Sequence, residues 1–200
     1  MNHMFKIYLT NKFLLVLLSS FLFSQPRFSQ WLDKNKSLIE SDYKSITFIY
    51  NNFSNNQNTY QDVNQKCKLT LGLDNKFRFE NENKIIISNG TDWRSYDIRT
   101  NQIFIYDIDM NIEKIISDLN NFSKLKKNIL SRMIFMNKEY HFDTPYLKQP
   151  FLINISEDGI LESIIVKNNF KLSQIKIYKE DSLNLSINKK NIMEFDLRKK

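Results

Sequence analysis

Alanine is missing from this chain altogether. The strongest helix former is therefore unavailable, and any helix must be held by packing of an apolar face rather than by propensity. Cysteine occurs once, at Cys67 in the alternating run KCKLTLGL. A single thiol excludes an intrachain disulfide, and its place in a strand-like pattern reads as a buried structural residue. There are two histidines, His3 and His141. The sequence offers no metal-ligand spacing, no Ser–His–Asp order and no phosphate-cradling glycine loop, so no cofactor or metal is implied. With three glycines and three prolines in 200 residues, long flexible linkers are not expected, and a single domain suits the length. The net charge of +7 comes from 29 basic and 22 acidic residues spread along the chain. The basic runs KLKK (124–127) and RKK (198–200) are short, and a nucleic-acid surface would need a basic stripe with interleaved aromatics.

What is present begins at the N-terminus. Lys6 and Lys12 precede the apolar run FLLVLLSSFLF at 13–23, and the polar SQPRFSQ follows. A basic region, a short apolar core and a small residue at Ser24 form a secretory signal pattern, too short to span a bilayer comfortably. The expected organisation is a signal peptide over 1–24 and a single domain over 25–200.

The rest of the chain alternates between two periods. SQWLDKNKSLIESD (29–42) reads as a helix, with Trp31, Leu32, Leu38 and Ile39 on one face. KSITFIYNNF then alternates, with Ile46, Phe48 and Tyr50 on one side of a strand. Leu69, Leu71 and Leu73 share a strand face, Asp74–Asn75 turn the chain, and KFRFE sets Phe77 and Phe79 opposite Lys76, Arg78 and Glu80. The turn NEN leads into KIIIS, WRSYDI and QIFIYDI, an antiparallel meander in which Lys76, Arg78 and Glu80 are expected to meet solvent. At Asn111 the period changes. Ile112, Ile115, Ile116, Leu119 and Phe122 recur at helical spacing, which predicts an amphipathic helix. Ser123 opens a second one, KLKKNILSRMIFM, with Met133 and Met136 on its stripe. Strands resume as EYHFD, PFLINI, ILESIIV, FKLSQIKIY, LNLSI and IMEFDL, with a hairpin at Asp158–Gly159. The fold class is therefore α+β, mainly β: one antiparallel sheet whose apolar face is covered by helices.

In order and spacing, three stretches resemble the periplasmic outer-membrane lipoprotein carrier family (LolA-type). The first is KLTLGLDNKFRFENENKIIISNGTDWRSYD, whose Ser88, Asn89, Gly90, Trp93 and Tyr96 look like that family's S-D-G-x-x-L-W-x-Y segment. The second is LKQPFLINISEDGILESIIV, and the third is the N-terminal helix before an alternating strand. The resemblance implies an incomplete antiparallel β-barrel, a curved sheet with an N-terminal helix and a helical lid over an apolar cavity. It implies a periplasmic, non-enzymatic monomer that binds lipoprotein acyl chains. Such a carrier receives its cargo from an inner-membrane lipoprotein-releasing ABC transporter and passes it to an outer-membrane acceptor. The expected lipid-binding residues are Phe48, Tyr50, Leu69, Leu71, Phe77, Phe79, Ile86, Trp93, Ile112, Ile115, Ile116, Leu119 and Phe122. The chain departs from the family at four points: Leu73–Asp74 stand where an Arg-Pro pair ties the lid to the barrel, Arg94 stands at the family tryptophan with Trp93 one residue earlier, the NEN hairpin is shorter than in many members, and FDLRKK lacks the family's usual Pro/Gly-containing segment.

Two other classes of function stay open at this level. One is an envelope lipid- or stress-sensing interaction protein on the same scaffold. The other is a secreted hydrolase using a carboxylate pair, although no spacing in the sequence points to one.

Overall fold

The computed structural model describes residues 26–54, 59–60, 64–108, 110–130, 132–136, 139–142, 151–166 and 169–198. The expected signal segment over 1–24 lies outside the described residues. The chain opens on two short helices, α1 (Pro26–Lys34) and α2 (Lys36–Ile39). Proline suits the first helical position because its missing N–H has no partner to lose there. The single helix expected over 29–42 is divided at Asn35, whose side-chain Nδ2 donates to Trp31 O at 2.8 Å while its backbone N–H donates to the same carbonyl at 3.1 Å.

One sheet then dominates. Its strands are β1 (Lys44–Ser54), β2 (Thr59–Tyr60), β3 (Gln65–Leu71), β4 (Phe77–Glu80), β5 (Lys84–Ser88), β6 (Trp93–Asp97), β7 (Gln102–Tyr106), β8 (Met133–Met136), β9 (Glu139–Phe142), β10 (Phe151–Ile155), β11 (Leu161–Val166), β12 (Phe170–Lys179) and β13 (Met193–Asp196). They run in the order β13-β7-β6-β5-β4-β3-β1-β12-β11-β10-β9-β8, with β2 paired to β1 off that path. Strand β1 is thus the centre of two wings: a meander β3–β7 on one side and β8–β12 on the other. Helices α3 (Met110–Asn120) and α4 (Phe122–Leu130) carry the chain from one end of the sheet to the other. Ten strand spacings separate β7 from β8, roughly 48 Å if the sheet were flat. The two helices, 11 and 9 residues long, supply about 30 Å. The sheet's curl shortens that path.

The turns follow from local chemistry. Asp74 and Asn75 both sit at φ 56°, the left-handed conformation that a tight hairpin demands and that Asp and Asn tolerate best among non-glycine residues. Asn81 Oδ1 accepts from the backbone N–H groups of Asn83 and Lys84 at 3.0 and 2.9 Å, closing the β4–β5 turn as an Asx motif. Gly159, at φ 73°, completes the β10–β11 hairpin as its Asp-Gly sequence predicts.

Both faces of the sheet are apolar in part. On the helix face, α1 and α2 bury Phe28, Leu32 and Ile39 against Met133, Tyr140, Ile153 and Leu161 of the second wing. Helix α3 packs on the first wing. On the opposite face, residues 181–192 run without regular structure as a strap over β3–β7. The strap is fixed by Arg78, which donates from Nη1 to Asn184 O and Ser186 O at 3.4 and 2.9 Å. It is also fixed by Asn101, whose Nδ2 donates to Lys190 O and Asn191 O at 3.2 and 2.8 Å. Gly72 allows the close approach: a Cβ there would stand 2.9 Å from Leu183 Cδ2. Beneath the strap, Tyr96, Ile103 and Ile105 are buried with Ile85, Ile98, Ile187 and Ile192 packed around them.

Four further sequence-based expectations change here. The apolar run Met133–Met136, read as the end of a helix, is strand β8, paired with β9. The segment LNLSI, read as a strand, is part of the strap: it is extended, which produces the alternation, but joins no ladder. The last strand, β13, pairs with β7 in parallel. Arg78, expected in solvent, has a side chain only 16% exposed because the strap lies over it.

Candidate functional site

The helix face of the first wing is built by strand alternation. In β3, Leu69 and Leu71 point to one side, opposite Phe79 and Phe77 of β4. Phe79 faces Ile86 of β5, and Ile86 faces Ser95 of β6. Leu71, Phe77 and Ile116 of α3 are buried together, and Ile46, Leu69, Phe79, Ile86, Trp93 and Leu119 pack around them. Phe77 meets Trp93 edge to face with ring centroids 5.4 Å apart, the geometry that aromatic quadrupoles favour. The register thus sets Trp93 on the helix face and Arg94 on the strap face, where Arg94 Nε lies 3.3 Å from Asp92 Oδ1.

The predicted residues separate into three groups. Leu69, Leu71, Phe77, Phe79, Ile86, Trp93, Ile116 and Leu119 form one apolar cluster. Phe48 and Tyr50 lie further along β1, on the same sheet face but outside that cluster: Phe48 stands opposite Cys67, and the Tyr50 ring tilts against Phe170 at 5.8 Å. Ile112, Ile115 and Phe122 lie on helical backbone, and their side chains are outside the described residues. The sequence reading passed over Ile46, although its alternation with Phe48 and Tyr50 placed it on this wall. It also passed over the aromatic continuation of the wall. Ser95 faces Phe104 of β7, Trp93 faces Tyr106, and Phe104 stacks on Phe195 of β13 at 5.3 Å. This shelf is open: Tyr106 and Phe195 are exposed, as is Met110 at the start of α3. No local pattern places Phe195 there, because its partner Phe104 is 91 residues earlier in the chain.

Polar contacts hold α3 at its C-terminal end. Asn120 Nδ2 donates to Gly72 O at 3.1 Å, bridging the helix to the turn after β3. Asp118 pairs with Lys124 of α4 at 2.6 Å, and Lys126 of α4 pairs with Asp33 of α1 at 2.6 Å. Beside Asn120, a polar niche of about 270 Å³ is lined by Lys44, Asp42 and Ser117 among others. The Lys44 amine is buried and donates to Ser41 O at 3.3 Å. Burial pushes its pKa below the usual lysine range, and Asp42 opposes that shift.

Burial raises the Cys67 thiol to about 11, far from the reactive thiolate range. Among the described residues, no group of three or more His, Cys, Asp and Glu side chains is placed to hold a metal ion. No described helix is long and apolar enough to cross a membrane. The indole N–H of Trp93 is buried and has no hydrogen-bond partner among the described residues.

No protein-family model matches the chain, and no curated protein matches it. Among solved structures, it is similar to an uncharacterized conserved protein from Thermus thermophilus at 8% identity and a TM-score of 0.48, covering 84% of this chain and 98% of that one. It is also similar to PNGF-II in a P21 crystal form, at 11% identity and a TM-score of 0.40 over 78% of this chain. The match spans about a third, 32%, of the PNGF-II chain.

Proposed function

We propose that the protein is a periplasmic carrier whose helix face takes the acyl chains of lipoproteins, with α3 as the movable cover. In this reading the curled sheet acts as an incomplete barrel and α3–α4 act as its lid. The observation that carries the proposal is the continuity of the apolar surface. It runs from Leu71 and Phe77 under α3, past Trp93, to the open shelf of Phe104, Tyr106 and Phe195. An ordinary core would end beneath its helix. Here the wall leads outward to an edge at which an acyl chain can enter, and the unpartnered Trp93 N–H offers a donor to an ester or amide carbonyl.

The energetics suit reversible transport. Each buried methylene gains ~0.8 kcal/mol, so a chain of ~16 carbons would release roughly 13 kcal/mol gross. Displacing Ile116 and Leu119 from the wall consumes part of that gain and keeps the complex separable. The Asn120–Gly72 bridge supplies the tie between lid and sheet that the resembled family makes with an arginine. In this account the cargo comes from an inner-membrane lipoprotein-releasing ABC transporter and goes to an outer-membrane acceptor.

The test is release of a radiolabelled lipoprotein from energised inner-membrane vesicles into the soluble fraction. The protein should promote release in proportion to its concentration. Leu119→Asp, which puts a carboxylate on the lid's apolar side, should abolish release while keeping the circular dichroism of the fold. Equal release by Leu119→Asp, or none by the unaltered protein, would remove the carrier reading.

A further inference from the structure

The strap leaves part of its face bare. Between the strap and β12, a groove of about 660 Å³ opens over β1, β3, β4 and β5, on the side of the sheet opposite α3. That volume falls in the ~300–1,000 Å³ range of small-molecule sites. The groove has two chemically different ends. Toward β5 and β6 its floor is Ile85 and Ile98, which also pack with Ile187 around the cluster beneath the strap. Toward β12 it is cationic. Thr47 of β1 stands between Lys68 of β3 and Lys176 of β12, and Ile49 stands opposite Lys66.

Lys66 and Lys68 share one face of β3, and Lys176 lies across β1 on that face, two strand spacings or ~10 Å away, a distance at which like charges still repel. Among the described residues, Lys68 alone of these is relieved, by Glu180 at 2.7 Å, where the lysine's hydrogen bond holds the carboxyl below its ordinary range. Glu80 is engaged by Arg78 at 2.9 Å. Glu82 lies at the rim by the β4–β5 turn, near enough to act on Cys67 beside Lys66 but three strand spacings from Lys176. Among the described residues, Lys66 and Lys176 form no ion pair. An apolar floor leading to two uncompensated lysines asks for a ligand with an apolar tail and an anionic head.

We propose that this groove is a second binding site, for a single-chain amphiphile carrying a phosphate or carboxylate head. The head sits between Lys66 and Lys176 beside Thr47, and the tail lies over Ile85 and Ile98. From β1 to β6 is four strand spacings, ~19 Å, room for an extended tail of roughly a dozen carbons. The site is separate from the helix face and does not depend on the carrier reading.

Calorimetric titration with dodecyl phosphate below its aggregation concentration tests this, with inorganic phosphate and dodecyl maltoside as head-only and tail-only controls. The protein should bind dodecyl phosphate at least tenfold more tightly than either control, and added salt should weaken the binding. Lys66→Glu with Lys176→Glu should weaken it tenfold or more, and Lys66→Gln with Lys176→Gln should fall between. Leu119→Asp, on the opposite face, should leave this salt-sensitive site unchanged while removing any acyl binding under α3. Equal affinity for dodecyl maltoside, equal affinity for inorganic phosphate, or unchanged binding by the double charge reversal would each overturn the proposal.

Discussion

Truncating Phe77 to alanine distinguishes a lipid-binding wall from a closed core. Phe77 is 4% exposed, buried with Leu71 and Ile116, and set edge-on to Trp93 at 5.4 Å. Removing a phenyl group from such a place costs about 3–5 kcal/mol, part of it the aromatic pair. In a closed core that loss is permanent, because nothing enters the vacated space. In a wall under a movable helix, an acyl chain can occupy the space where the ring stood. A ligand at about 100 times its dissociation constant stabilises the protein that binds it by about 2.7 kcal/mol. The variant, with the larger site, should gain more than the unaltered protein. The assay is urea unfolding of both proteins with and without dodecanoate at one fixed concentration. We expect the gap between them to be about 4 kcal/mol without ligand and to shrink by at least about 1 kcal/mol with it. A gap that does not change with ligand would make this cluster ordinary core.

Asn120→Leu removes the bridge to Gly72 O and should cost about 1 kcal/mol, with faster hydrogen exchange confined to α3; exchange unchanged in α3 would show that the bridge does not hold the helix. Arg78→Leu removes the ties to Asn184 O and Ser186 O and should lower the urea-unfolding free energy by roughly 1.5–3 kcal/mol, whereas a change within about 0.5 kcal/mol would mean that the strap needs no such anchor. Cys67, raised by burial from 9.0 to about 11, should resist alkylation in the folded protein at pH 8 and react promptly in urea. Because the folded thiol holds its proton more tightly, its contribution to stability is full below about pH 9 and is lost as pH rises through about 11; rapid alkylation of the native protein at pH 8 would contradict this.

The first wing was legible in the sequence because two independent signals agree there. The period-2 pattern assigns Phe77 and Phe79 to one face, and turn residues that tolerate positive φ or cap their own backbone fix the register at Asp74–Asn75 and Asn81. Helix α3 was legible from its isoleucine spacing. Met133–Met136 was not. Four apolar residues fit a helix stripe or a buried strand equally, and pairing with β9 decides between them. The strap read as a strand because extended backbone alternates whether or not it joins a ladder. Neither the parallel return of β13 nor the approach of Asn120 to Gly72 follows from local pattern, since each joins positions far apart in the chain. The lysines of the groove were visible singly, as a diffuse basic excess. Their clustering appears only when β12 is set beside β1.

The central claim is that the helix face holds an acyl chain, and native mass spectrometry of the protein purified from a periplasmic extract without detergent tests it most directly. The account predicts a population heavier than the polypeptide by the mass of an acylated lipid or lipopeptide, lost on denaturation and absent from Leu119→Asp. A polypeptide mass alone, unchanged after incubation with dodecanoate or an acylated lipopeptide, would contradict it.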